Sequence, residues 1–135
     1  MLLTNVGLYG CYDIVNNYNL SINNKTDRKV AVLYSFNVDP KSNGNNVDYY
    51  LSDENAIEPD STYTIVKVGG KDAWRDYIDE GKTKRLYFYF FETDTLKRYF
   101  NQFTMNDFVR QKKYYKRLEY TEKELKAINW TVVVQ

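Results

Sequence analysis

Cys11 stands behind Leu8-Tyr9-Gly10, and Leu-x-Gly-Cys is the shape of a bacterial lipobox. The chemistry of that motif is acylation. The thiol takes a diacylglycerol, and the cysteine becomes the first residue of the mature protein. The composition closes off most other chemistry. The chain contains no histidine and one cysteine. Histidine is the commonest general base and metal ligand, so Ser-His-Asp, Cys-His and His-based zinc sites are excluded. A lone cysteine also excludes an internal disulfide and any Cys-x-x-Cys site. Paired carboxylates remain, because glycosidase-type hydrolysis needs only two acids with separated pKa values. Asp72, Asp76, Glu80, Glu92 and Asp94 are available, but nothing singles out a pair. They read better as helix-start and surface charges.

Aromatic rings are the next resource. There are 14 Tyr, 7 Phe and 2 Trp, and so many phenols leave some rings exposed. The ring-stacking candidates are Tyr49, Tyr50, Trp74, Tyr114 and Tyr115. Such rings suit the C–H faces of sugars, and equally suit core edges with one wet side. The stretch Arg110 to Arg117 interleaves Lys and Arg with Tyr114 and Tyr115, a pattern that can follow a phosphate backbone. On a strand, though, alternation sends the cations to both faces. A solvated edge guarded by lysines fits equally well, so nucleic acid is not a favoured partner. Asp39-Pro40-Lys41-Ser42-Asn43-Gly44-Asn45 is oxygen-rich, but Lys41 stands where a calcium ligand belongs, and the segment reads as a hairpin loop. No cofactor and no metal are implied.

Several short elements must position these residues. Tyr18–Asn23 and Val30–Phe36 alternate and flank the turn Asn24-Lys25-Thr26-Asp27, which predicts an antiparallel hairpin. Asn43-Gly44 is a type I′ turn signal, and Val47–Leu51 is expected to pair back onto the second strand. Thr62–Val68 is a β-branched strand ended by Gly69-Gly70. Asp72–Asp79 places Trp74, Tyr77 and Ile78 at helical spacing, and Gly81 stops that helix. Arg85–Phe91 contains an unbroken apolar run, the mark of a central strand covered on both faces. Thr93 is placed to cap a helix carrying Leu96, Tyr99 and Phe100, and Thr104 to cap a turn that sends Phe108 and Val109 inward. Lys113–Tyr120 reads as a strand, Thr121 and Glu124 as a capping box, and Trp130–Val134 as the last strand. The fold class is α+β, β-rich, with a mostly antiparallel sheet or sandwich-like core and short helices. Leu20, Ile22, Val32, Tyr34, Ile65, Phe88, Phe90, Leu125 and Trp130 are expected in or near the core.

At 135 residues the chain suits one domain, and its 43% hydrophobic content supports a packed core. The net charge is +1, which gives no general attraction to polyanions. Charge is unevenly placed. Met1–Thr62 has four Lys/Arg against eight Asp/Glu, and Leu96–Lys126 has nine against four. The simplest reading is two regions that complement each other within one domain. We divide the chain into 1–16, a residual signal, lipobox and tether, and 17–135, one globular domain. Met1–Gly10 is too short to span a bilayer, which takes about 20 apolar residues, and it lacks the basic region of a full signal. Either the true start lies upstream, or Cys11 is an ordinary thiol in an N-terminal tail.

From Leu86 onward the sequence resembles a family of small, uncharacterised lipoproteins from Bacteroides-type bacteria. The resemblance rests on Leu86–Tyr99, on Lys116-Arg117, and on Thr121–Val133, where a strand, an Asp-Thr-Leu helix start and a Leu-x-x-Ile-Asn-Trp close follow in order. The front half agrees more loosely, in a cysteine followed by an Asn-rich strand, in Tyr34–Phe36 and in the turn at Ile57. The truncated leader and the Val134-Gln135 ending depart from the family pattern. The resemblance implies an outer-membrane lipoprotein held by lipid at Cys11, on the periplasmic or the surface face. It brings no activity, ligand or catalytic residue. The expected role is therefore non-catalytic protein-interaction or structural work in the envelope, with a glycan-binding module using exposed aromatics and a carboxylate-dependent hydrolase as alternatives.

Overall fold

The computed structural model describes residues 19–40 and 46–135, so Cys11, its lipobox and most of the Asp39–Asn45 loop lie outside the described residues. Two three-stranded sheets face each other. The first has β1 (Asn19–Asn24) at its centre, β3 (Thr62–Val66) antiparallel on one side and β6 (Thr131–Val134) parallel on the other. The second has β4 (Leu86–Glu92) at its centre, with β2 (Val30–Ser35) and β5 (Lys116–Tyr120) antiparallel beside it. Five helices lie among the described residues: α1 (Val47–Leu51), α2 (Ala73–Asp79), α3 (Thr93–Arg98), α4 (Met105–Arg110) and α5 (Glu122–Ala127).

Alternation builds the first core. Leu20 and Ile22 point inward from β1, and Ile65, Val132 and Val134 join them from its neighbours. They meet Val30, Val32, Leu86, Phe88 and Phe90 from one face of the second sheet. Trp74 and Ile78 of α2 and Leu125 of α5 enter the same core, and an Arg75–Glu122 ion pair at 2.8 Å links these two helices. The second sheet's other face carries Ala31, Leu33, Tyr87, Tyr89 and Phe91. It is covered by Val47 and Tyr50 of α1, Leu96 of α3, and Met105, Phe108 and Val109 of α4. The layers are thus sheet, sheet, helices. Leu86 through Phe91 are all buried because β4 is covered on both sides, as its unbroken apolar run requires. Burial of each Leu or Phe there contributes ~1.5–3 kcal/mol.

Several sequence expectations are corrected. β1 and β2 do not form a hairpin, because they belong to different sheets. Their apolar faces oppose one another across the core instead of lying side by side. The reason is Asn24, the last residue of β1, which is completely buried. Its Nδ2 donates to the carbonyls of Arg28 (2.7 Å) and Ile57 (2.9 Å), and its Oδ1 accepts from the Thr26 N–H (2.9 Å) and hydroxyl (2.6 Å). These bonds turn the chain away from β1, and Ile57 then pairs with Val30 at the start of β2. Val47–Leu51 is a helix and not a strand; Val47 and Tyr50, three residues apart, share its buried face. The strand expected from Lys113 begins only at Lys116, after Lys112 adopts a left-handed φ of 54° behind α4. Thr93 opens α3 as its first residue, and its buried hydroxyl reaches the Lys29 carbonyl at 3.4 Å. Tyr34 and Trp130 are half-buried and pack against the core. The capping boxes at Thr104/Asp107 and Thr121/Glu124 both form.

Replacing Asn24 tests the corner. Asn24→Ala strands the buried Ile57 carbonyl, at a cost of about 1–3 kcal/mol, and removes the partly buried bonds to the Arg28 carbonyl and the Thr26 N–H. Urea unfolding is expected to show a lower midpoint and an unfolding free energy reduced by at least that amount. An unchanged midpoint would mean that the corner is held by other contacts.

Candidate functional site: a tyrosine-lined cleft

β2 and β3 are edge strands of different sheets, and a cleft of ≈ 490 Å³ opens along them. β2 and the residues after it supply a continuous wall from Val32 to Asn37. The period-two alternation of β3 sends Tyr63 and Ile65 to one face, and Lys67 follows on the same face just past the strand. α1 contributes Tyr49 and Tyr50, α2 contributes Tyr77, and Pro40, Asn55, Met105 and Asn106 complete the lining. At the far end Gly81 approaches β2 closely. A Cβ there would lie 2.3 Å from the Phe36 carbonyl oxygen, so only glycine lets the end of α2 sit against this wall.

The rings support one another. Tyr49 and Tyr50 meet edge-on at 5.0 Å. Tyr77 meets Tyr34 at 5.9 Å and Phe36 at 5.0 Å, both edge-on. Asn55 fixes the Tyr63 phenol and the backbone at Tyr49. Its Nδ2 donates to the Tyr49 carbonyl and to the Ser52 hydroxyl, each at 2.9 Å, and its Oδ1 accepts from the Tyr63 hydroxyl at 2.9 Å. Ser35 is engaged by the Asn37 N–H at 3.0 Å. Asn106 Oδ1 is shut off from solvent and accepts no hydrogen bond.

Among the described residues, Lys67 is the single cation of the lining. Its Nζ sits 3.6 Å from the centroid of Tyr77, 5.4 Å from Tyr34 and 5.6 Å from Trp74. These are cation–π distances. Burial pushes its pKa below the ordinary lysine value, and the charge of Glu80 pulls it back only in part. The phenols shift upward. Burial is the largest cause at Tyr34 and Tyr63, followed by the neighbouring tyrosines. At Tyr77 burial and Tyr34 push the pKa up to about 12, although a hydrogen bond with the Phe36 backbone opposes them. The cleft therefore combines phenols that resist ionisation at Tyr34, Tyr63 and Tyr77 with amides and a partly buried lysine.

The chain matches no family model, no curated protein and no solved structure.

The structure sorts the residues singled out by sequence. Tyr49 and Tyr50 line the cleft. Trp74 does not offer a ring face to a ligand, since it is 2% exposed beneath Lys67. Tyr114 packs on Tyr89 at 5.3 Å, and Tyr115 is exposed with the Arg28 guanidinium over its ring at 5.9 Å; neither lines the cleft. The five named carboxylates do not line it either. Asp72 pairs with Arg75, and Glu92 with Arg28. Among the described residues no three of His, Cys, Asp or Glu could hold a metal ion. The basic stretch is divided among intramolecular partners. Arg110 faces Asp39, Lys113 lies over Tyr99, Lys116 donates to the Gln135 carbonyl, and Arg117 pairs with Glu119 over Tyr87. Tyr34, Tyr63, Lys67, Tyr77, Asn55 and Asn106 were not singled out by sequence as site residues, although Tyr34 was expected in the core and Tyr77 on a helix face. The alternation through Tyr63, Ile65 and Lys67 was the one available signal for them.

Alkaline titration of the phenols followed by ultraviolet absorbance tests this electrostatic description. Tyr77→Phe is expected to remove one late-ionising phenol near pH 12 and to leave the ordinary class unchanged. The raised pKa favours the folded state below the ordinary value of 10.0, and that contribution is lost as pH rises toward 12. The variant should therefore lose less stability than the parent across that window. Loss of a phenol from the ordinary class instead would show that Tyr77 is not buried as described.

Proposed function

We propose that this chain is a non-catalytic binding module of the cell envelope, and that the tyrosine-lined cleft receives a short glycan. The observation that supports this most is the composition of the cleft. Five tyrosines, three Asn amides and one ammonium line ≈ 490 Å³, and no described carboxylate is among them. Ligand pockets typically enclose about 300–1,000 Å³ and combine aromatic walls with a few placed polar groups. Aromatic faces suit sugar C–H groups, while phenols and amides exchange hydrogen bonds with sugar hydroxyls. Among the described residues no acid pair for hydrolysis lines the cleft, which favours binding over turnover. The envelope placement rests on the Leu8-Tyr9-Gly10-Cys11 box and the lipoprotein resemblance. Several acyl chains on Cys11 would anchor the domain firmly, where one would not.

A protein partner is a second reading, and the edge of β2 favours it. Val30 exchanges both backbone hydrogen bonds with Ile57, so its polar groups point away from β4. Alternation points those of Val32 and Tyr34 the same way, toward the cleft, and no described backbone group pairs with them. An added peptide strand could bond there.

A glycan array with the folded domain separates the two readings. Hits are expected, and Tyr49→Ala should weaken binding of a hit about tenfold in calorimetry, roughly the value of one exposed stacking ring. Tyr49 is 49% exposed, so its replacement spares the core. An empty array, or binding indifferent to Tyr49→Ala, would exclude glycan binding in this cleft and leave the strand-pairing reading. For the tether, the intact mass of the native membrane-bound protein should start at Cys11 and include acyl chains. A chain that still begins at Met1 would make Cys11 an ordinary thiol.

A further inference from the structure

We infer that the ligand of this cleft is an acidic saccharide, bearing a carboxylate or a sulfate ester that sits against the Lys67 ammonium. The inference rests on the glycan reading above and names the ligand class. Three features of the site converge on it. Lys67 is half-buried, and no described carboxylate comes within ion-pair distance of it. Five of the six arginines are treated differently: Arg28, Arg75, Arg85, Arg110 and Arg117 each face an acid within 4 Å. The cleft also has no described acid in its lining; Glu80, whose charge reaches Lys67, lies outside it. Finally, the ammonium is held in place by Tyr77, Tyr34 and Trp74, which fixes its position before any ligand arrives.

The energetics favour an anion over a neutral group. Partial removal of an ammonium from water is costly unless the charge is compensated. Ring faces return only part of that, as a cation–π contact does. A ligand anion would add a charge-assisted hydrogen bond, stronger than any bond to a sugar hydroxyl. Lys presents a point charge instead of the planar fork of Arg, so it accepts a carboxylate and a sulfate ester alike.

An array of matched pairs tests the inference, with each acidic oligosaccharide printed beside its uncharged twin: oligogalacturonate beside its methyl ester, and sulfated galactose oligomers beside the desulfated forms. Acidic members are expected to bind at least tenfold more tightly than their twins. Lys67→Gln should reduce the acid to the level of its twin, and Lys67→Arg should keep most of the difference. Trp74 lies 5.6 Å from the ammonium, so acidic ligands should also shift tryptophan fluorescence in the parent and not in Lys67→Gln. Which acid binds distinguishes carboxylate from sulfate. If acid and twin bind equally, or only neutral glycans bind, the acidic class is wrong and the glycan reading stands. If no glycan binds to the folded protein, the glycan reading falls and this inference with it.

Discussion

One buried amide holds the geometry of this molecule together. Asn24 has two N–H donors and two acceptor lone pairs on its side chain, and all four are engaged. Its backbone is engaged as well, with the N–H bonded to the Ser61 carbonyl at 3.0 Å and the carbonyl to the Asp60 N–H at 2.8 Å. One residue thus ties the end of β1, the turn after it, the approach to β3, and Ile57, which is bridged to β2. A half-satisfied buried amide is worse than an apolar residue, so this arrangement tolerates little rearrangement. It commits β1 and β2 to opposite sheets, and it brings the edges of β2 and β3 together. The cleft is the space left along those edges.

β4 sets the second constraint. Its six consecutive buried residues need cover on both faces, and the two faces are covered by different means: a second sheet on one side, and α1, α3 and α4 on the other. α1 is only five residues long and has little helical stability of its own. Packing of Val47 and Tyr50 on the second sheet holds it in place. The same packing leaves Tyr49 exposed at the mouth of the cleft. The core and the site are therefore built from adjacent residues, and the cleft inherits its rigidity from the sandwich.

The sequence disclosed the elements better than their partners. Period-two alternation marked the strands, Thr-x-x-Asp and Thr-x-x-Glu marked two helix starts, and the Leu86–Phe91 run marked the central strand. Alternation reports which face is buried, but not which neighbour shares the hydrogen bonds. The β1–β2 hairpin was therefore a natural expectation, and the parallel pairing of β1 with β6, from opposite ends of the chain, gave no local sign. Val47–Leu51 was misread because Val, Tyr and Leu suit a strand in composition, whereas the i, i+3 contact that makes it helical is tertiary. Tyr49-Tyr50 and Tyr114-Tyr115 are identical as doublets, yet only the first reaches the cleft. Lys67 looked like an ordinary lysine after a strand. Its meaning came from three rings contributed by other segments.

The central claim is that the cleft between β2 and β3 is where this protein binds. Backbone and Asn side-chain amide chemical shifts, followed by NMR during titration with an array-positive saccharide, test it most directly. The account predicts changes concentrated at Val32–Asn37, Tyr49, Asn55, Lys67 and Asn106. Changes centred instead on Ser21 and Thr64 of the outer sheet face, or on Tyr114 and Tyr115, would contradict it.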